Sequence, residues 1–195
     1  MQLRIEQVSL NRGQQPVLVQ YQRVFAHRRT CLQAPNGAGK SSLLCAIAGL
    51  LPLQRGRIVW QGREVKAAQA DIAIASDSIL LPDFLSARDC LQLQQSMWRL
   101  SWPEQLIADF HFQPQLAKPV ASLSAGTLKK LQLILALMRT STLLLLDEPT
   151  VALDEQALAT LWRIIAGYNG TILAASHDAD ALVAHGFVLE ALHAG

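Results

Sequence analysis

Residues 143–148 read Leu-Leu-Leu-Leu-Asp-Glu. An apolar run this short is a strand rather than a helix. With no polar residue alternating through it, both of its faces have to be buried. Thr171–Ala175 and Phe187–Glu190 are of the same kind. Between and around them, Ser41–Leu50, Thr127–Arg139, Glu155–Ala166 and Asp178–Ala184 carry helical text, with Leu43, Leu44, Ile47 and Leu51 of the first at helical spacing. Short strands buried on both faces and alternating with helices predict an α/β fold, a mostly parallel sheet with helices on both faces. Gln2–Leu10, Val17–Tyr21, Thr30–Ala34 and Arg57–Trp60 read as further strands in the amino-terminal third.

The segment 78–126 differs in character. Cys90–Arg99 is Gln-rich helical text. Ser101 followed by Pro103 and Glu104 reads as a capping box at a helix start, and Pro114, Pro119, Ser122 and Ser124 then interrupt the chain. This predicts a small α-helical subdomain over 78–126, inserted between 1–77 and 127–195 of one core domain.

At 195 residues the chain has the length of a single domain. Its net charge of +2 argues against a nucleic-acid partner. Hydrophobic residues make up 51% and charged ones 16%, which excludes disorder and leaves a surface poor in charge, as a partner-covered one would be. The longest apolar stretch, Leu133 to Leu146, is broken by Arg139 and Thr140-Ser141-Thr142, and the amino terminus has no secretory apolar run. Cys31, Cys45 and Cys90 are odd in number and contain no Cys-x-x-Cys, as expected of reduced thiols in a cytosol.

Four motifs carry chemistry. Ala34-Pro35-Asn36-Gly37-Ala38-Gly39-Lys40-Ser41-Ser42 joins a strand to a helix. Its glycines let backbone N–H groups face phosphate oxygens, the helix start adds a positive end, Lys40 can reach β- and γ-phosphates, and Ser41 can ligate Mg2+. Asp147 and Glu148 end an apolar strand at the carboxyl edge of the sheet, where one can hold the metal and the other can orient or deprotonate water. Ser124-Ala125-Gly126 opens a helix and offers a second anion site, although a Ser there also serves as an ordinary cap. His177, just past Thr171–Ala175, reaches the same edge as Asp147. His27, His111, His185 and His193 have no such setting.

In this order, and with Ala152-Leu153-Asp154 after Glu148, the motifs resemble those of the ATPase domain of ATP-binding-cassette (ABC) transporters across essentially the whole chain. The resemblance implies a P-loop NTPase core with N-terminal antiparallel strands, catalytic roles for Lys40, Glu148 and His177, and ATP and Mg2+ as cofactors. It implies a head-to-tail dimer with a second ATPase subunit, each site combining one phosphate loop with the partner's Ser124 turn. Asp154 would then cross the interface. It also implies a separate transmembrane permease subunit and a peripheral position at the cytoplasmic face of the membrane. The length and the Leu-Ser-Ala-Gly form are similar to the ATPase subunit of cytochrome c-type haem export, so export is the expected direction.

Three positions depart from the family pattern. Arg12 stands where an aromatic residue stacks on adenine, with Tyr21 and Phe25 as alternatives. The stretch Ile74-Ala75-Ser76-Asp77-Ser78 lacks the metal-contacting Gln; Asp77 is the match for it, with Ser76 or Ser78 if the register shifts by one. Ala125-Gly126-Thr127 replaces Gly-Gly-Gln. These departures keep open a non-transport or degenerate module in which ATP binding only regulates assembly. A soluble phosphate-loop kinase is the other rival. Leu80, Leu81, Phe84, Leu85, Met97, Trp98 and Trp102 are the expected partner surface or the subdomain's own core.

Overall fold

The structure is a computed structural model that describes residues 2–192, so His193 lies outside the described residues. The chain runs through β1 (Leu3–Arg12), β2 (Gln15–Phe25), β3 (Arg29–Gln33), α1 (Lys40–Ile47), β4 (Arg55–Trp60), β5 (Arg63–Glu64) and β6 (Ile72–Ala75). It continues through α2 (Ala87–Trp98), α3 (Glu104–Asp109), α4 (Ala125–Leu137), β7 (Leu143–Asp147), α5 (Glu155–Gly167), β8 (Thr171–Ala175), α6 (Ala179–Ala184) and β9 (Val188–Ala191). A five-stranded sheet in the order β6-β7-β8-β3-β9 is parallel throughout, and a four-stranded antiparallel sheet has the order β2-β1-β4-β5.

The leucine run behaves as its composition requires. All of Leu143–Asp147 is buried, and alternate residues enter different cores. Leu144 and Leu146 join Ile172, Ala174 and Cys31 under α4, α5 and the helical segment. Leu143 and Leu145 join Leu173, Leu32, α1 and the antiparallel sheet. Truncating one such leucine to Ala costs about 2–5 kcal/mol, because both transfer energy and packing are lost. One face of the parallel sheet is thus covered by helices. The other is covered by α1 together with the antiparallel sheet, whose β1 turns Leu3, Ile5, Val8 and Leu10 inward.

The segment 78–126 is helical, but Leu91, Ile107, Phe110, Phe112 and Val120 belong to the same cluster as α4, α5 and the sheet. It carries no core of its own. Asp109 at the end of α3 ties it to α5 through Arg163 (2.8 Å) and through the Thr160 hydroxyl, which donates to the Asp109 carbonyl at 3.1 Å. The capping box expected at Ser101 does not form. Pro103 occupies the cap position of α3 and leaves Glu104 as the first helical residue, too early to reach back. A capping box stands instead at the start of α2, where the Ser86 hydroxyl accepts from the Asp89 N–H at 3.1 Å and the Asp89 carboxylate accepts from the Ser86 N–H at 3.0 Å. Strand β6, with small alanines in an otherwise unremarkable stretch, was not legible from pattern; it pairs in parallel with β7.

Candidate functional site

The carboxyl edge of the parallel sheet gathers the chemistry. The loop after β3, the end of β7, the loop after β8 and the loop after β6 all emerge there. Arg12, Val17, Asn36, Gly37, Ala38, Gly39, Lys40, Ser41, Ser42, Glu148 and His177 line one cleft of about 160 Å³. The loop 35–39 turns tightly, with Gly37 at φ +81° and Gly39 at φ +95°. Gly39 is doubly required, since a Cβ there would lie 2.3 Å from Cγ1 of Val17, which β2 presses onto the loop. Ala34, at the position where the pattern has Gly, keeps a negative φ, so its methyl group causes no strain. Lys40 is nearly buried, and its ammonium donates to the carbonyls of Ala34 (2.7 Å) and Pro35 (3.4 Å).

Asp147 is buried and accepts from two hydroxyls: Ser41 Oγ on Oδ1 at 3.0 Å and Ser76 Oγ on Oδ2 at 2.7 Å. The cluster is made of oxygen donors with one carboxylate, the donor set that suits a small hard cation such as Mg2+. Among the Gln-position candidates, Ser76 is therefore the residue at the carboxylate. Asp77 turns away, and its carboxylate pairs with Lys129 at 2.7 Å. Ser78 donates its N–H to Ser76 Oγ. Cys45, one turn below Ser41 on α1, lies close enough that burial first and the Asp147 charge second push its thiol up. Burial likewise pushes the Cys31 thiol up to about 11.

Glu148 sits at φ +46°, in the left-handed region that a side-chain-bearing residue rarely occupies. Its backbone is held by the Ala175 carbonyl at 2.8 Å. Its carboxylate meets the ring Nε2 of His177 at 3.2 Å and accepts the His177 N–H at 3.1 Å and the Ser176 hydroxyl at 3.3 Å. The two residues expected at one edge are therefore in direct contact, with Ser176 as an unforeseen third. Arg12 also reaches the cleft. Tyr21 and Phe25, its alternatives, are core residues.

Ser124, Ala125 and Gly126 do not line the cleft. Ser124 caps α4, its hydroxyl accepting the Thr127 N–H at 3.3 Å. Gly126 abuts the loop after Glu148, where a Cβ would lie 2.4 Å from the Ala152 carbonyl oxygen. Asp154 does two local tasks. It caps α5 by accepting the Ala157 N–H at 2.7 Å, and it pairs with Lys130 of α4 at 2.6 Å, which holds its carboxyl below the usual range. Within the chain it thus joins α4 to α5. Of the expected partner face, Leu80, Phe84 and Met97 are 89%, 85% and 72% exposed. Leu81, Leu85 and Trp102 pack on the core, and Trp98 lies under the Arg139 guanidinium at 3.7 Å.

The residues that sequence reasoning passed over are Val17, Ser176 and Lys129. Lys129 had a legible signal: with Gln132, Leu133 and Ala136 it falls on one face of α4, the buried face.

A model of the family described as ABC transporter matches residues 23–151. The chain belongs to the ABC transporter family. It is the ATP-binding, ATP-hydrolysing domain of that family. Among ABC relatives, it is 29% identical over 187 residues to the zinc import ATP-binding protein ZnuC of Halorhodospira halophila, covering 93% of this chain and 70% of that protein. It is 35% identical over 154 residues to the ATP-binding protein Uup of Escherichia coli, covering 77% of this chain but only 24% of Uup. A solved ABC structure, an ATP-binding subunit of an ABC transporter, superimposes with a TM-score of 0.86 at 24% identity, covering 100% of this chain and 87% of that one, and so shares its fold. No described helix is long and apolar enough to cross a membrane.

Proposed function

We propose that the chain is the energy-supplying subunit of a transporter. It would pair head-to-tail with a second ATPase subunit, the same or a related chain, around two Mg-ATP, and act on a separate transmembrane permease at the cytoplasmic face of a membrane. The observation that carries this reading is the division of the site. The phosphate loop, Asp147, Glu148 and His177 share one cleft, while the Ser124 turn lies outside it, available to a neighbouring copy. The exposed Leu80 and Phe84, which follow Ser76 in the chain, and Met97 on α2 supply apolar surface for the permease, carried by the segment 78–126. For direction, relatives whose names state one, the zinc import protein among them, are import proteins. The proposed direction is therefore import, in place of the expected export.

The residues present fit the metal. Ser41 and Asp147 would hold Mg2+, with Ser76 fixing the second carboxylate oxygen; the cation neutralises phosphate charge when bound. Lys40 exchanges its two carbonyl partners for β- and γ-phosphate oxygens, and Arg12 presents its guanidinium plane to the base. Glu148 orients a water and takes its proton as the water oxygen bonds to the γ-phosphorus and the bridging bond to the β-phosphate breaks. His177 holds Glu148 in position through both its ring and its backbone N–H.

The test is tagged Glu148→Gln purified from detergent-solubilised membranes with Mg-ATP, alongside turnover of the wild type. Expected are turnover lost in the variant, an ATP-dependent dimer, and a polytopic membrane protein that co-purifies in stoichiometric amount. Turnover that survives the substitution overturns the role of Glu148. Recovery of soluble proteins alone overturns the permease.

A further inference from the structure

Lys129 is 3% exposed, on the second turn of α4. Its ammonium touches two groups, each belonging to one side of the metal cluster. It donates to the backbone carbonyl of Asp147 at 3.3 Å and pairs with the Asp77 carboxylate at 2.7 Å. The neighbour of Asp77, Ser76, holds the Asp147 side chain at 2.7 Å. One turn further along α4, Gln132 Nε2 donates to the Ser76 carbonyl at 3.3 Å. The helix that begins at Ser124 thus grips both the strand end that bears Asp147 and the loop that bears Ser76.

A buried ammonium beside a cation site is a liability unless its charge is cancelled. It repels the incoming ion, and burial gives it little water to screen it. Asp77 supplies the cancelling charge from the more exposed side. We infer that Lys129 and Asp77 are a positioning pair for the metal-binding carboxylate: Lys129 fixes Asp147 and the Ser76 loop in register, and Asp77 neutralises it so that a divalent cation can settle at Asp147. Asp77 lies in the chain between Ser76 and the exposed Leu80 and Phe84. Here a short serine reaches the carboxylate and an ion pair on the next residue secures it. This inference rests on the reading of Ser41 and Asp147 as metal ligands.

The test is ATP turnover of the full chain, with any membrane partner that co-purifies, as free Mg2+ is varied at saturating ATP, for the wild type and for Asp77→Asn, Asp77→Glu and Asp77→Asn/Lys129→Met. Asp77→Asn leaves the buried Lys129 ammonium without its counter-charge, so thermal melts measure the stability each variant loses and Mg2+ dependence is read below the melting range of every variant. The expected result is a half-saturating Mg2+ concentration raised about tenfold in Asp77→Asn, the size typical of lost outer-shell support. Asp77→Glu stays close to the wild type. The double variant recovers part of the loss, because removing the ammonium removes the repulsion. Equal Mg2+ dependence in Asp77→Asn and the wild type overturns the inference, as does a double variant no better than the single one. A wild type whose turnover needs no Mg2+ overturns instead the underlying reading of the metal site, and the inference with it.

Discussion

Gly126→Ala makes the packing of α4 against the loop after Glu148 measurable. The added Cβ would lie 2.4 Å from the Ala152 carbonyl oxygen, and ordinary contact begins near 3.4 Å, so the two backbones must separate by about 1 Å (3.4 − 2.4). Neither yields easily. The oxygen belongs to a backbone in which Glu148 and Ala152 already hold φ of +46° and +62°, and Lys130 and Asp154 bind α4 to α5 nearby. Overpacking of this kind costs about 1–3 kcal/mol, offset by up to ~1 kcal/mol of helix propensity gained on replacing Gly. A net loss of about 1–2 kcal/mol corresponds to a fall in Tm of roughly 2–8 °C for a chain of this size. The larger effect is on catalysis: a shift of about 1 Å in the segment carrying Glu148 is expected to lower turnover about a hundredfold. Thermal melts and steady-state ATPase assays read the two effects separately. A variant with unchanged or higher Tm and wild-type turnover would refute the reasoning, since α4 and the loop would then be free to part.

Lys40→Ala should weaken ATP binding by at least tenfold in a titration while leaving Tm within a few degrees, because its present partners are two carbonyls that water can replace. Arg29→Met should cost about 2 kcal/mol in denaturant unfolding: its guanidinium donates to Ile165, Ala166 and His185 carbonyls at 2.9, 3.1 and 3.1 Å and closes the carboxyl end of α5, which has no basic residue in its own last turn. The Asp154 carboxyl is depressed chiefly by Lys130, so the stability it adds is present above the usual carboxylate range and is lost as pH falls through the lower folded value. Asp154→Asn keeps a capping side chain and removes the charge. It should melt slightly below the wild type at pH 7, by less than about 1 kcal/mol for so exposed a pair, and the gap should narrow as pH falls below the usual carboxylate range. A gap that does not change with pH would assign the difference to the cap instead.

Much of this protein is readable before any coordinate is known, and the reason is local. A five-residue apolar strand has one way to hide its backbone and both faces, so Leu143–Asp147 and Thr171–Ala175 announce a covered parallel sheet. A glycine turn followed by Lys40 and Ser41 has few uses other than phosphate, and carboxylates at a strand's end fall at the sheet edge. Sequence neighbours decide the α4 cap at Ser124 and the φ of Gly37 and Gly39, where pattern and structure agree, but not the box expected at Ser101, where Pro103 takes the cap position of α3.

What pattern could not settle lies between segments distant in sequence. The choice of Ser76 over Asp77 at the metal carboxylate depends on how β6 registers against β7, and a shift of one residue exchanges the faces. The buried Lys129 is tolerable only because Asp77 and the Asp147 carbonyl arrive from two other strands' ends. Asp154 serves α4 and α5 within its own chain because those helices pack side by side. Side-chain chemistry and strand length are properties of the sequence itself. Which charges neutralise one another is decided by tertiary packing, since the energy of a buried ion depends on partners that only the fold brings within 3 Å.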